Sequence, residues 1–362
     1  VVIEDSINGI KAGHAAGMKV IHIPDTIEIN DDIRELTSVV CHSLSDVPDI
    51  IDTWNEGKVV DVEGYYENAK INRVYVDRVH VKKTFAEYTA AYNADDPKIK
   101  LKIDHTYRVA ALCERIAKAA GMCAYDVELA WLSGMLHDVG RFEQIKRYNT
   151  FSDADSVDHA KFGADLLFKD GLISTFLNGM VKCTGYKPGA LEDRYGSDGV
   201  FLYDRLNKSD MEMLELAIRC HNMYRIPQGL NRREQAFCNV LRDADKVDIF
   251  KVNIDTPLEE IYNTTTEELM KSDITDEVLE AFDEEHCILK AIRRTPADTV
   301  IGHVSLAYEL VYDESVRITV EQGYLAKLMH FHSDNEETNR KMAMVREKMD
   351  SYVKKRIVEK DA

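Results

Sequence analysis

The stretch Trp131-Leu132-Ser133-Gly134-Met135-Leu136-His137-Asp138-Val139-Gly140 decides the fold. It carries no charge before Asp138 and ends at a glycine, which reads as a buried helix closing on a His-Asp pair. Burying an imidazole and a carboxylate at the base of a hydrophobic stripe is costly unless something compensates. A metal ion compensates both together, and other helical stretches supply more groups of the same kind.

Five segments place a His or Asp on an apolar stripe. His105 precedes Val109, Leu112 and Ile116 at helical spacing. His137 follows Ala130 and Ser133 beside Leu136, and Gly134 permits another helix to come close. Ser156 is the expected cap of a helix in which His159 leads to Phe162, Gly163 and Leu166. His221 follows Leu214, Ala217 and Ile218, and Asp245 follows Cys238 and Leu241. Pattern alone does not choose Asp245 over Asp243 or Asp248 on the same stretch. A lone histidine on an apolar face is usually a satisfied core residue. Five such positions in one domain are harder to explain so, because each unpaired buried group costs roughly 1–3 kcal/mol and a shared ion removes those costs together.

The order His105, then His137-Asp138, then Asp245 within Ala244-Asp245-Lys246 resembles the HD superfamily of metal-dependent phosphohydrolases, over roughly residues 72–256. The resemblance implies a mainly α fold, a helical bundle with the metal at its centre. It implies His105, His137, Asp138 and Asp245 as ligands of the first ion, and it selects Asp245. His159 in Asp158-His159-Ala160-Lys161-Phe162-Gly163-Ala164 and His221 in Ile218-Arg219-Cys220-His221-Asn222 resemble the additional histidines of dinuclear members. With them Asp138 would bridge two ions; in a mononuclear site they would support the ligands or the substrate. The chain departs from the cyclic-dinucleotide phosphodiesterase branch, which has a Gly-Tyr-Pro element, and from alarmone hydrolases, which carry a Glu-Asp pair after the metal motif. The nearer analogy is to small nucleotide hydrolases such as symmetric diadenosine tetraphosphatases.

Imidazole nitrogens and carboxylate oxygens without a thiolate suit Fe, Mn, Co or Ni, with Mg acceptable at the carboxylate-rich half; Fe or Mn is the first expectation. The expected chemistry is metal-assisted hydrolysis at phosphorus. Arg141 after the motif, Lys246 beside Asp245, Arg242 one turn back and Asn222 beside His221 are the candidates for holding phosphate, Arg through its bidentate fork. The plainer reading of Arg242 and Lys246 is a solvated helix face. Asp138, Arg141 and Lys246 are the candidate catalytic groups.

The first 54 residues read differently. Val1-Val2-Ile3 is a short strand, Asp5 or Ser6 caps a helix that Gly17 stops, and Lys19 to Ile23 is a second strand. A further strand is expected at Val39-Val40 and a helix from Val47 to Trp54. Glu4-Asp5-Ser6, Gly9-Ile10 and Ala16-Gly17-Met18 resemble the last motif of haloacid dehalogenase-type hydrolases, closest to the β-phosphoglucomutase-like branch. That implies a partial α/β, Rossmann-like fragment in which Glu4 and Asp5 belong to a residual Mg site. The family's nucleophilic Asp has no counterpart upstream, so these acids support no phosphoryl transfer by that route unless a longer parent completes them. Val1, within a strand and not Met, suggests such a parent. The expected organisation is 1–54, a linker at 55–71, the HD unit at 72–256 and a helical extension at 257–362. Residues 182–208 read as a surface excursion, and the charged helix from Glu336 as solvated or partner-facing.

A formal charge of −18 argues against nucleic acid or an anionic membrane as the main partner and leaves a small phosphorylated substrate, a nucleotide above all. No apolar run reaches the roughly 18 residues of a membrane helix. The seven scattered cysteines form no CxxC and read as reduced, which with the composition predicts a cytoplasmic protein. The leading expectation is a phosphohydrolase of HD type. The alternatives are a sugar-phosphate mutase or phosphatase with an appended HD domain, and a non-catalytic nucleotide sensor.

Overall fold

The computed structural model describes residues 1–23, 31–40, 44, 47–55, 76–93, 95–177, 208–262 and 264–358. The expected linker at 55–71 and the excursion at 182–208 lie outside them apart from Asn55 and Lys208. The chain is mainly helical, and its residues cluster into two compact units.

The first unit holds a three-stranded parallel sheet of β1 (Val2–Glu4), β2 (Val20–His22) and β3 (Val39–Val40), in that order. Helices α1 (Ile7–Ala15) and α2 (Asp31–Leu36) lie between consecutive strands, and α3 (Val47–Asn55) follows. Side chains alternate across β2, so Val20 packs with Ile10 and Ile33 of α1 and α2, while Ile21 packs with Val39, Val47 and Ile50. Both faces are thus covered, as a parallel sheet requires. Ser6, not Asp5, is the cap of α1, its hydroxyl accepting from Gly9 N at 3.1 Å. A Cβ at Gly13 would sit 2.4 Å from Val2 Cγ1, so glycine there lets α1 lie on the sheet. The small sheet does not by itself specify a Rossmann or haloacid dehalogenase fold.

The second unit comprises the described residues of Phe85–Met122, Asp126–Ile173 and Ser209–Ala362. Its helices are α4 (Arg78–Thr89, continuing from the first unit), α5 (Pro97–Ala119), α6 (Ala124–Leu136), α7 (Val139–Tyr148), α8 (His159–Ala164), α10 (Lys208–Cys220) and α11 (Arg232–Asp255), while α9 (Ile173–Leu177) belongs to the first unit apart from Ile173. Asp96 caps α5 ahead of Pro97, and an Asn231/Glu234 capping box starts α11. α11 packs along α5. Val109, Cys113 and Ile116 of α5, Leu129, Leu132 and Leu136 of α6, and Leu214 and Ile218 of α10 are fully buried. Phe142 of α7 is fully buried as well and contributes about 1.5–3 kcal/mol by leaving water.

Two glycines set the helix spacing that matters. A Cβ at Gly134 would meet Ala110 Cα at 2.6 Å, which brings α6 against α5. A Cβ at Gly140 would meet His159 O at 2.4 Å and Gly163 N at 2.6 Å, which brings α7 against α8. Asp158, not Ser156, caps α8, its carboxylate accepting from Lys161 N at 3.2 Å. The Ser156 hydroxyl instead donates to Ser152 O and accepts from Gln144.

Beyond α11 come α12 (Leu258–Tyr262), α13 (Thr266–Lys271), α14 (Asp276–Asp283), α15 (Pro296–Val304), α16 (Asp313–Gln322), α17 (Tyr324–Met329) and α18 (Glu336–Val358). They surround a second core in which Phe250 of α11 meets Val278, Phe282, Val300, Ile301 and Leu325. The expectation that α18 is solvated or partner-facing does not hold for its whole circumference: Met342, Val345 and Met349 form a buried stripe in this core. The acidic and basic residues that dominate its composition occupy the rest of its circumference.

Candidate metal centre

The residues singled out by their stripes converge. His105 comes from the middle of α5, His137 and Asp138 follow the end of α6, His159 begins α8, His221 follows α10, and Asp245 lies on α11. His105 Nε2 lies 3.3 Å from His137 Nε2, and His159 Nε2 lies 3.1 Å from His221 Nε2. Asp138 stands between the pairs. Its Oδ2 is 3.5 Å from His105 and 3.4 Å from His137. Its Oδ1 is 3.6 Å from His159 and 3.8 Å from His221. Asp245 Oδ1 adds a second carboxylate to the first pair, 3.2 Å from His105 Nε2 and 3.9 Å from His137 Nε2.

Each imidazole is held by its other nitrogen. His137 Nδ1 donates to Gly134 O and His221 Nδ1 to Ile218 O, both at 2.7 Å. His105 Nδ1 meets Asp248 Oδ2 at 2.6 Å, and His159 Nδ1 meets Asp153 Oδ2 at 2.7 Å. A carbonyl oxygen only accepts, so His137 and His221 must carry their proton on Nδ1 and aim the Nε2 lone pair inward. Two inward lone pairs about 3 Å apart repel unless a cation lies between them. Ligand atoms roughly 2.1 Å from one ion at cis positions stand about 3.0–3.4 Å apart, which is the spacing within each pair. The donors present therefore fit one or two divalent ions, with His105, His137 and Asp138 as one set and Asp138, His159 and His221 as the other. Asp153, Asp158 and His159 form a third close group. In it Asp153 is already engaged by His159, Arg141 and Gln144.

Protonation states match at His159, His221 and the two carboxylates, whereas His105 must release a proton to take a cation. Burial pushes His221 down to about 3, with His159 and His137 adding to the effect, and burial likewise lowers His159. Burial works against ionising Asp138, yet Lys102, His137 and His159 hold its carboxyl well below the carboxylate range. Asp245 is held low in the same way by His105 and then His137. For His105, burial and Lys102 act downward, and the hydrogen bonds to Asp245 and Asp248 outweigh them and raise it. Ionised carboxylates and neutral imidazoles are the state in which such a set takes a cation.

The three acids on α11 take different positions. Asp243 accepts from Val311 N, Tyr312 N and the Ser315 hydroxyl, where it fastens the start of α16. Asp248 stands behind His105 and also takes both the Nε and Nη2 of Arg108. Asp245 faces the inward nitrogens.

The candidate phosphate-holding groups separate. Arg141 Nη1 is spent on Gln144, Phe151 O and Asp153, while its Nε is buried without a hydrogen bond and lies 3.8 Å from Asp138 Oδ1. Asn222 is exposed and donates to Asp153 and Asp158. Arg242 and Lys246 are not on a solvated face: both are more than nine-tenths buried. Glu4 and Asp5 belong to the first unit, where Glu4 accepts from the Ser6 hydroxyl at 3.1 Å. Sequence reasoning missed Lys102, whose ammonium donates to Asp138 Oδ2 at 2.7 Å, and the supports Asp153 and Asp248. Lys102 precedes His105 by three residues on the same helix face, a spacing that could have found it.

Residues 103–250 match the model of the HD domain family. The match does not reach residues 1–54 and gives no support to their resemblance to haloacid dehalogenases. No curated protein and no solved structure matches the chain. HD domains bind divalent metals and are typically metal-dependent phosphohydrolases, so the family match and the convergent His/Asp cluster support one another.

Proposed function

We propose that this protein is a metal-dependent phosphohydrolase that cleaves a phosphate ester or anhydride of a nucleotide-like substrate. One observation carries the reading: two pairs of inward-facing imidazole nitrogens share the two oxygens of a single buried carboxylate, Asp138. Divalent ions in such a site lower the pKa of water towards neutrality and neutralise charge on phosphoryl oxygens. His105, His137, Asp138 and Asp245 would hold one, and Asp138, His159 and His221 the other. The nitrogen-rich donor set favours Fe or Mn over Mg, with Co and Ni compatible.

The chain's own groups do the rest. The four outward Nδ1 contacts fix ring orientation before substrate arrives, so little reorganisation is needed during reaction. Lys102 sits against the shared carboxylate and brings positive charge to the rim where a phosphate would enter. Arg141 braces the Phe151–Asp153 loop that carries the carboxylate behind His159. Among the described residues no helix is long and apolar enough to cross a membrane. A small phosphorylated partner rather than nucleic acid or membrane, and a cytoplasmic setting, belong to the same proposal.

The test is elemental analysis of aerobically and anaerobically purified protein, followed by a nucleotide and phosphoester panel with each candidate metal. Bound Fe or Mn with turnover supports the reading, and H137A should lose both. Tight nucleotide binding without turnover would point instead to a sensor.

For residues 1–54 we propose the end of a haloacid dehalogenase-type domain, on the resemblance of the Glu4-Asp5-Ser6 motif alone. Mg-dependent phosphatase or mutase activity that appears only with added upstream sequence tests it.

A further inference from the structure

On α11, Arg242 and Lys246 lie one turn apart beside Asp245, and their exposures are only 7% and 8%. Like charges at this spacing repel even on a solvated helix. Burial makes the arrangement worse, since an unpaired buried cation costs several kcal/mol. Compensation is incomplete: one long ion pair, Arg242 Nη2 to Glu309 at 3.8 Å, serves two cations. Arg242 Nη2 donates to Tyr224 O at 3.1 Å, and its Nη1 is buried without a hydrogen bond. The Lys246 ammonium makes no hydrogen bond or ion pair among the described residues, although its side chain is more than nine-tenths buried. The neighbouring acids are committed elsewhere. Asp243 fastens α16, and Asp245 faces His105 and His137. Glu309 stands 3.8 Å from Arg242 and accepts from Cys287 N.

Two metal-centre residues border this pair. Asp245 adjoins Lys246 in sequence, and His221 begins the turn whose Tyr224 carbonyl holds Arg242. Arg242 lies three residues before Asp245, within one turn and on the same side of α11, so an anion held there is on the side of α11 that faces the His/Asp centre.

We propose that Arg242 and Lys246 form a second anion subsite, which takes the phosphate adjoining the one attacked, so that the substrate is a diphosphate or longer phosphoanhydride rather than a simple monoester. The inference rests on the phosphohydrolase reading and names its substrate class. In the step, the oxygen of water forms a bond to phosphorus at the centre. The bond from that phosphorus to the bridging oxygen breaks, and the bridging oxygen leaves with the electron pair on the second phosphate. The proton released by water ends on the products. Arg242 and Lys246 neutralise the charge that grows on the departing group, through a fork and a point charge respectively.

The experiment is calorimetric titration of the full, metal-loaded chain with imidodiphosphate, a non-hydrolysable P–N–P anion, and with orthophosphate. Wild type should bind imidodiphosphate at least about tenfold tighter than orthophosphate. R242Q and K246M should each lose about tenfold or more of the imidodiphosphate affinity and change orthophosphate affinity by less than about twofold. Anion-free K246M should melt at or above the wild-type temperature, because one of two like charges buried side by side has been removed. Unchanged imidodiphosphate affinity, equal loss for both anions, or a lower melting temperature for K246M overturns the subsite. Metal content of the same samples separates the two claims. A metal-free wild type defeats the phosphohydrolase reading, whereas metal-replete variants that still prefer imidodiphosphate defeat only the subsite.

Discussion

The two halves of the centre share Asp138 but are provisioned differently. The half at His105 and His137 has a second carboxylate in Asp245, and Lys102 lies on the same Asp138 oxygen. The half at His159 and His221 has no counterpart to Asp245 among the described residues, and it borders the turn that leads to Arg242. Four protein donors on one side and three on the other make the first half the stronger anchor. The second is left with more positions for water and substrate, the usual division between a closed and an open metal site.

The largest expected effects come from removing one histidine on each side. H137A should abolish bound metal and bring hydrolysis to background. H221A should keep roughly one ion per chain while turnover is lost. Elemental analysis paired with a turnover assay decides it; the reverse pattern would invert the assignment of anchor and open half.

Next come the carboxylates behind the rings. D248N and D153N should each weaken metal binding by about 10–100-fold, the first on the His105 side and the second on the His159 side. A competitive chelator titration reads the two separately. Equal effects on both ions would erase the distinction between halves.

The halves should also titrate in opposite senses in metal-free protein. His221, pushed down to about 3, binds fewer protons folded than unfolded between that value and the ordinary 6.5, so its contribution to stability falls as pH drops through this window. His105 is raised, so its contribution is full below 6.5 and is lost as pH rises through its folded value. Imidazole NMR titration of the metal-free chain checks both; two rings shifting in the same direction contradict the picture.

The smallest effect is mechanical. G140A would press a methyl on His159 O and Gly163 N, parting α7 from α8 at a cost of about 1–3 kcal/mol. Chemical denaturation should show that loss, and metal affinity should decline on the His159 side only.

Much of this was legible in the chain. The apolar stripes brought out His105, His137, His159 and His221 because a helix of known period must bury what lies on its stripe, while Asp245 was selected only by the family resemblance. Gly134 announced a close helix approach, and Ala110 is what it meets. The supports were harder to see. Asp153 sits in a loop, and its value depends on where α8 places His159. Asp248 resembled Asp243 and Asp245 until the rotation of α11 against α5 was known. Cap choice was left open between Asp5 and Ser6 and mistaken at Ser156, where Asp158 caps instead, because neighbouring polar residues compete and only backbone geometry decides. The buried stripe Met342, Val345 and Met349 was present in the sequence of α18 but outnumbered by charge.

The most direct measurement is the metal stoichiometry of anaerobically purified wild type beside D138A. The shared carboxylate predicts close to two Fe or Mn ions per wild-type chain and a loss from both halves in the variant. Wild type that carries no transition metal, or D138A that retains the wild-type complement, would contradict it.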